Sequence, residues 1–401
     1  PRAAPCAIVA VRSPRRGAAM AVAVSAGPQV DVGPLADRAA AVDQEARFPR
    51  ASVDELIAAG ALGWSVPERF GGAGAGPVEY VTAIERVAGA CASTGMVLVM
   101  HAVAAQTLAA GVGDREDGPL VDALAAAARG EHLLTLAYSE RGSRGHFWAQ
   151  VSHARAQDGG GVVIDADKTW ATSAGEVGSY LLSCGAPGTE DPLATELYLV
   201  PGDAPGLEVA APFDGLGMRA TASAPLRLRG LEVTEDRRVS EPAQGFGLMM
   251  EATLPWFVLG SAACSVGIAG AALEAAIAHA SGARLEHLGS TLADIPGVRA
   301  RLADAKVRHF ETQAYLYAVA GAVAAGAPDA QLGVLALKAA ASEMAVEVTD
   351  RCLRVGGGKA YSKHGPLERH FRDARAASVM APTTEVLHDL LGKALCGQEL
   401  F

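Results

Sequence analysis

Arg369-His370-Phe371-Arg372-Asp373-Ala374-Arg375 is followed, after Ala376, by Ala377-Ser378-Val379-Met380-Ala381-Pro382-Thr383-Thr384-Glu385, and this stretch decides the fold. It sits inside a segment of helical pattern running from about Phe246 to the end of the chain. Within that segment Gly260 to Ala280 is dominated by Ala, Gly and Ser, which let neighbouring helix backbones approach closely. Three or four long helices, packed as a bundle, are expected there. Upstream the character changes. Val162-Val163-Ile164, Tyr180-Leu181-Leu182, Leu197-Tyr198-Leu199-Val200 and Leu226 to Val233 are short strand-like runs separated by Gly, Pro and Asp. Leu226-Arg227-Leu228-Arg229 alternates as a strand with one solvated face does.

Earlier still, from about residue 34 to 130, the pattern is helical again. Ser52-Val53-Asp54-Glu55 before Leu56 and Ile57 reads as a capping box. Further helices are expected from Val78 to about Gly89 and from Ser93 to about Leu108, the last very apolar. Helices, strands, helices, with no internal repeat, predict an α+β multi-domain chain. Its parts are a leader (1–33), an N-terminal α-helical domain (34–131), a middle antiparallel β-barrel or sandwich (132–243) and a C-terminal four-helix bundle (244–401).

Half of the 401 residues are apolar but only 5% are aromatic, which suits close helix packing better than an aromatic-rich binding surface. The net charge of −10, with no basic stripe, argues against nucleic acid as a partner. No uninterrupted apolar run of about 20 residues stands out, so no membrane span is expected. The six cysteines (Cys6, Cys91, Cys184, Cys264, Cys352 and Cys396) are scattered and read as reduced core residues of a cytoplasmic protein. Residues 1–19 hold Arg2, Arg12, Arg15 and Arg16 and no acid, ahead of Met20. They read either as an organelle transit peptide, which would make the protein mitochondrial, or as sequence upstream of a true start. The Ala/Gly/Arg bias favours the second reading and a bacterial source.

Gly71-Gly72-Ala73-Gly74-Ala75-Gly76 does not have the spacing of a dinucleotide fingerprint, and Gly358-Lys359 lacks the rest of a P-loop. Both are expected to be turns. The ten histidines show no zinc-binding spacing, so no metal is expected, and no GxSxG elbow occurs.

The opening stretch resembles the C-terminal signature of the acyl-CoA dehydrogenase family, an RHYRDAR run leading into a YEGTSE turn. Other family motifs occur in order. Val66-Pro67-Glu68-Arg69-Phe70-Gly71-Gly72 is similar to PEEYGG, and Cys91-Ala92-Ser93-Thr94-Gly95 to CASTG. Leu136-Ala137-Tyr138-Ser139-Glu140 is similar to FALSEP, and Lys168-Thr169-Trp170-Ala171-Thr172-Ser173 to KAWITN. Asp214 to Arg219 resembles LGIR, and Gly357-Gly358-Lys359-Ala360-Tyr361 resembles GGMGY.

The resemblance covers residues 34 to 400 and implies FAD and a homotetramer. It implies that Tyr138 and Ser139 meet the flavin ring edge and that Trp170 and Thr172 pack against and bond the ring. It further implies that Gly357 and Gly358, and Arg284 one residue out of register, face the adenine and pyrophosphate of a neighbouring subunit's cofactor. Thr383 falls on the Thr of the YEGTSE turn and Glu385 on its final, non-catalytic Glu, and the resemblance implies that both lie at the cofactor, Thr383 touching the flavin.

The departures are as informative as the matches. α,β-Dehydrogenation of an acyl thioester removes a hydride from Cβ and a proton from Cα, so a base must lie within reach. The two family positions for that base fall on Ala381 and Phe257, and the arginine position beside the second falls on Val258. Between Gly245-Phe246 and Gly267-Ile268-Ala269 the chain carries one residue more than the family pattern. Glu251 is a substitute base only if Pro255 shifts or kinks the helix start. After Glu140 the family's EPGNGSD becomes Glu140-Arg141-Gly142-Ser143-Arg144-Gly145-His146-Phe147-Trp148. This loop either reshapes the pocket, for a ring or an anionic tether, or simply covers the β domain. His146 is a second substitute acid or base, and Trp148, Phe257 and Ala381 are the expected pocket residues.

Three functions follow. The first is an acyl-CoA or acyl-carrier-protein dehydrogenase with a displaced base, passing electrons to an electron-transfer flavoprotein. The second is a flavin-dependent monooxygenase that uses O2 to hydroxylate nitrogen, sulfur or aromatic carbon and needs no such base. The third is a scaffold that binds a partner without catalysis.

Overall fold

Proline in the first turn, where a missing N–H costs nothing, marks the start of six helices among the described residues. The computed structural model describes residues 30–363 and 365–401; the readings of residues 1–19 and of Cys6 lie outside the described residues. The N-terminal part holds α1 (Gly33–Glu45), α2 (Arg50–Ala58), α3 (Pro77–Ala90), α4 (Ala92–Val112) and α5 (Pro119–Ala128). The capping box is not formed. Pro49 occupies the N-cap of α2, and Ser52, buried inside the helix, accepts instead from Arg38 Nε at 3.3 Å.

One expectation about membranes needs correcting. Ala92–Val112 and Gly245–Gly282 are both long and apolar enough to cross one, by length and composition. They are 78% and 83% buried inside the protein, however, so the hydrophobicity faces neighbouring helices.

The middle part has two sheets. β1 (Leu134–Ala137), β4 (Ser179–Gly185) and β5 (Thr195–Pro201) form one, in the order β1-β4-β5. β2 (Arg155–Ala156), β3 (Val162–Ala171), β7 (Ala224–Val233) and β6 (Leu207–Val209) form the other, in the order β2-β3-β7-β6. The expected strands are present, and Leu226 and Leu228 are buried while Arg227 and Arg229 are exposed. The arrangement is not wholly antiparallel, because β1 pairs in parallel with β4. The intervening loop and β3 supply the long crossover that a parallel pair needs.

The C-terminal part begins with α6 (Gly245–Leu248), a π turn at Met249–Thr253, and α7 (Leu254–Gly282). The short hairpin of β8 (Arg284–Leu285) and β9 (Ser290–Thr291) leads into α8 (Pro296–Ala324) and α9 (Ala330–Ala360). α10 (Pro366–Asp373), α11 (Ala376–Val379) and α12 (Thr384–Leu395) complete it. The small residues of α7 serve a close approach. A Cβ at Gly267 would lie 2.3 Å from the Glu85 carbonyl oxygen, so α7 packs on α3 of the N-terminal part as well as on its own bundle. Gly358-Lys359 is not a turn: it belongs to the last turn of α9, beyond a kink at Gly357 (φ 56°, ψ −146°). Cys91, Cys184, Cys264 and Cys352 are buried and free, but Cys396 is exposed rather than in the core.

The opening stretch is where the three parts meet. Arg372 grips both Asp43 oxygens of α1 at 2.9 and 2.6 Å, bonds Glu368 at 2.7 Å, and donates to the Leu216 carbonyl at 3.1 Å. Its neighbour Asp373 accepts from the Met218 amide at 2.6 Å, and Arg219 donates to the Asp43 carbonyl at 3.0 Å.

Candidate flavin and substrate site

Beyond β1, Tyr138, Ser139 and Glu140 run beside β3, and Thr169 donates its amide to the Ser139 carbonyl at 2.8 Å. Lys168, fully buried on β3, places its Nζ 2.6 Å from Glu140 Oε1. The same ammonium donates to the Ser183 carbonyl, to Gln150 Oε1 at 3.3 Å and to the Tyr138 carbonyl at 3.4 Å. Glu140 Oε2 in turn accepts from the Val151 and Ser152 amides at 2.8 and 2.7 Å. Burial by itself raises the Glu140 pKa, but Lys168 and Ser152 outweigh it and hold the carboxyl below its ordinary range. Both ends of the loop 141–152 are thereby pinned to the β domain.

Past Lys168 the β3–β7 register shifts, and Trp170 takes a left-handed backbone (φ 54°). Ser173, Met218 and Ala222 are left-handed too, a conformation that costs non-glycine residues energy and clusters at functional sites. The two corners hold each other through Ser173 N–H to the Thr221 carbonyl (2.8 Å) and Ala174 N–H to the Ala222 carbonyl (3.1 Å). Thr172 is buried with its hydroxyl 3.0 Å from that of Ser223. Trp170 is 67% exposed, touched edge-on by Phe213, with Leu216 also exposed in the neighbouring segment. A tryptophan held outward on a strained bulge, beside a hydroxyl pair, is an open apolar face with polar groups at its edge. That is the surface a flat flavin ring needs, so these residues fit FAD.

The loop after Glu140 carries an aromatic run. Phe147 stacks on Tyr138, with centroids 6.2 Å apart. Trp148 meets His146 and Phe147 edge-on, and Phe401 packs edge-on against both Trp148 (5.3 Å) and Phe246 (5.1 Å). His146 Nδ1 lies 3.2 Å from the Ser143 carbonyl. Gly145 lies against the Ala381–Thr384 turn: a Cβ there would sit 2.9 Å from Thr383 Cγ2. Burial pushes the Tyr138 phenol above its ordinary range, partly offset by the Thr253 hydroxyl.

The turn itself is clamped from below. Lys338 Nζ, buried on α9, donates to the carbonyls of Ala377, Met380 and Pro382 at 2.7, 3.0 and 2.8 Å. Met380 and Pro382 flank Ala381, so the ammonium is bonded to the backbone on both sides of it. Burial pulls Lys338 down to about 7, with Glu385 opposing, while three carbonyl acceptors match the three donors of its charged form. Thr383 caps α12 through the Val386 amide (3.4 Å), and Glu385 is exposed.

Phe257 and Val258 are buried, with 7% and no exposure. The helix before them contains a π turn at Met249–Thr253, within the interval where the sequence carries one residue more than the family pattern. Pro255 does not break the helix, since it stands in the first turn of α7. Glu251 lies in the π turn and is exposed. Arg284 is exposed on the β8–β9 hairpin, paired with Glu286 at 3.6 Å. Space is open around Gly357 and Gly358, and among the described residues no hydrogen bond or ion pair joins them or Arg284 to the Trp170 cluster. No group of three metal-binding side chains occurs among the described residues. The Lys338 clamp and the Phe401 contacts escape sequence reasoning, because neither residue stands in a motif.

Comparison with known proteins identifies the family. The N-terminal, middle and C-terminal domains of acyl-CoA dehydrogenases match residues 33–116, 135–231 and 243–396. The short-chain specific mitochondrial acyl-CoA dehydrogenase of Bos taurus is 30% identical over 348 residues, covering 87% of this chain and 83% of that protein. The chain belongs to the acyl-CoA dehydrogenase family. Its relatives are FAD-dependent oxidoreductases acting on CH–CH groups. Butyryl-CoA dehydrogenase from Megasphaera elsdenii superposes with a TM-score of 0.84 at 23% identity, covering 91% of this chain and 94% of that one. The prolyl acyl carrier protein oxidase AnaB gives 0.81 at 22% identity, covering 91% and 97%. At those identities the two structures speak to the fold.

Proposed function

We propose that the chain is an FAD-dependent dehydrogenase of acyl-CoA or acyl-carrier-protein thioesters, working as a homotetramer and passing electrons to an electron-transfer flavoprotein or to O2. The observation that carries this reading is Trp170, held outward on its left-handed bulge beside Thr172, in a chain of this family. Bound there, FAD supplies the acceptor for the β-hydride. Trp170 and Thr172 hold its ring, and Tyr138 and Ser139 line its edge. The Lys168–Glu140 pair fixes those residues, and Phe147 and Trp148 exclude water beside them. The α-proton is the unusual part. Ala381, Phe257 and Val258 offer no charge, and Glu251 is exposed rather than aimed inward. His146, on the loop that abuts the turn, is the group proposed to take the α-proton.

The same absence of a carboxylate favours a second reading, a flavin-dependent monooxygenase on this fold. Anaerobic titration of the flavin-loaded protein with acyl-CoA and carrier-bound thioesters separates the two. Bleaching of flavin absorbance near about 450 nm, unchanged in Glu251→Gln, is the expected result. A flavin that stays oxidised with every thioester, yet supports substrate hydroxylation once reduced in the presence of O2, would establish the second reading.

A further inference from the structure

Lys338 stands on α9 with no exposed surface. It has no ion pair among the described residues; Glu385 of α12 acts on it at longer range, from an exposed position. A charge buried in this way must be met by polar groups. All three of its acceptors are backbone carbonyls of one short stretch: Ala377 inside α11, and Met380 and Pro382 beyond its end. The Met380 and Pro382 carbonyls receive no other hydrogen bond among the described residues. α11 is four residues long, so its last carbonyls lack helical partners, and a lysine is a favoured group at such an end. One turn further along α9, the Ser342 hydroxyl lies 3.3 Å from that of Thr384, the first residue of α12. α9 thus holds the stretch 377–384 at both ends, whereas Ala381 itself offers only a methyl group.

The held stretch reaches the site. Gly145 of the aromatic loop lies against Thr383 and Val386, closely enough that an added Cβ would meet Thr383 Cγ2 at 2.9 Å. The loop continues into Phe147, which stacks on Tyr138, and into Trp148. Close-packed contacts transmit displacement, so a shift of the turn is passed through Gly145 to the wall beside Tyr138.

We infer that Lys338 is a positioning residue for the reaction: its ammonium, bonded to the Ala377, Met380 and Pro382 carbonyls, sets where Ala381 and Thr383 stand against the Gly145 loop. It acts through the turn and touches neither substrate nor flavin. The inference rests on the flavin-site reading above, and not on which of the two reactions that site performs.

The test uses three flavin-loaded variants. Lys338→Met is close in length and has no donor, Lys338→Gln keeps two N–H donors on a shorter chain, and Lys338→Ala leaves room for an added amine. Hydrogen exchange of residues 376–386, the shape of the flavin absorbance, and kcat and KM are read in each. In Lys338→Met, exchange in that segment is expected to quicken while α4 and α7 stay protected, and the flavin absorbance to change shape. Its kcat should fall by about tenfold to a hundredfold with KM little changed, and Lys338→Gln should lie between. Propylammonium, which replaces the deleted methylenes and ammonium, should restore part of kcat to Lys338→Ala, and propanol should restore less.

A lower melting temperature with unchanged flavin absorbance, kcat and KM would make Lys338 a stability anchor and overturn the inference. Equal recovery with propanol would overturn it as well, because filled volume and not charge would then be what the turn needs. Should the Met and Gln variants not fold, Lys338→Ala is folded in propylammonium and freed of it by gel filtration. Loss of kcat with circular dichroism retained then supports the inference; loss of both together overturns it. If the unaltered protein oxidises no thioester, the dehydrogenase reading fails by itself, and hydrogen exchange and flavin absorbance still decide the role of Lys338 without turnover.

Discussion

Lys168 is the residue on which the site's geometry depends most directly. Its ammonium is fully buried and reaches the Glu140 carboxylate, the Ser183 and Tyr138 carbonyls and Gln150, so one charge ties β1, β3, β4 and the aromatic loop together. A buried pair of this kind adds little over an apolar pair of the same shape, but removing one partner leaves the other uncompensated. Lys168→Met is therefore expected to cost roughly 3–5 kcal/mol in urea unfolding. Glu140→Gln/Lys168→Met should recover part of that loss, because no unpaired charge remains. A double variant no more stable than the single one would show that the carbonyl bonds of the ammonium, rather than the ion pair, carry the energy. Such a side chain is legible in the sequence only as part of a motif. Nothing in the spacing of Glu140 and Lys168 tells that they touch, since that contact is created by a strand pairing.

At the scale of elements, the π turn shows how a local irregularity was readable before its shape was. The chain has one residue too many between Gly245 and Gly267 relative to the family pattern, and the structure places a five-residue π turn at Met249–Thr253 in that interval. The consequence is specific. α7 packs against α3 and α4 with Phe257 and Val258 buried, while Glu251, inside the π turn, is exposed. Deleting Glu251 should therefore give a folded protein with an unbroken α-helix and equal or higher melting temperature, since a π turn is a strained substitute for α geometry. It should also shift Thr253, whose hydroxyl lies 2.9 Å from that of Thr107, and so alter the surroundings of Tyr138. Flavin absorbance of the loaded variant, with its melting curve, checks both parts; a large loss of stability would mean that the π turn is needed for packing. Other elements were less readable. The apolar periodicity gave the strands of the middle part, but not the parallel pairing of β1 with β4, because strand direction depends on a crossover rather than on any residue pattern. The capping-box reading of Ser52 failed for a related reason: Pro49 starts α2 earlier, and the buried position of Ser52 lets it serve Arg38 instead.

For the whole molecule, the Arg369–Glu385 stretch is both the strongest family mark and the joint between the three parts, and that joint titrates. Burial pushes the Asp373 carboxyl up from 3.8 to about 6; the Met218 amide and the nearby Arg369 and Arg372 oppose the shift, while Asp43 adds to it. The folded chain thus holds this proton more tightly than the unfolded chain does. Its contribution to stability is full below about pH 3.8 and is lost as pH rises through about 6. At pH 7 the joint carries an ionised carboxylate in a buried place, at a cost of about 2–3 kcal/mol relative to acid. Asp373→Asn keeps an oxygen for the Met218 amide and removes the charge. Its melting temperature should exceed that of the unaltered protein at pH 7 to 8, with the gap closing as pH falls toward 4. If the Asn variant is instead less stable by the same amount at every pH, the carboxylate is ionised throughout and held by Arg369 and Arg372, and the joint is an ion-pair network rather than a proton-linked one. The first outcome would also make the contact between the α1 and α10 regions, and with it the attachment of the N-terminal helices, firmer at mildly acidic than at neutral pH.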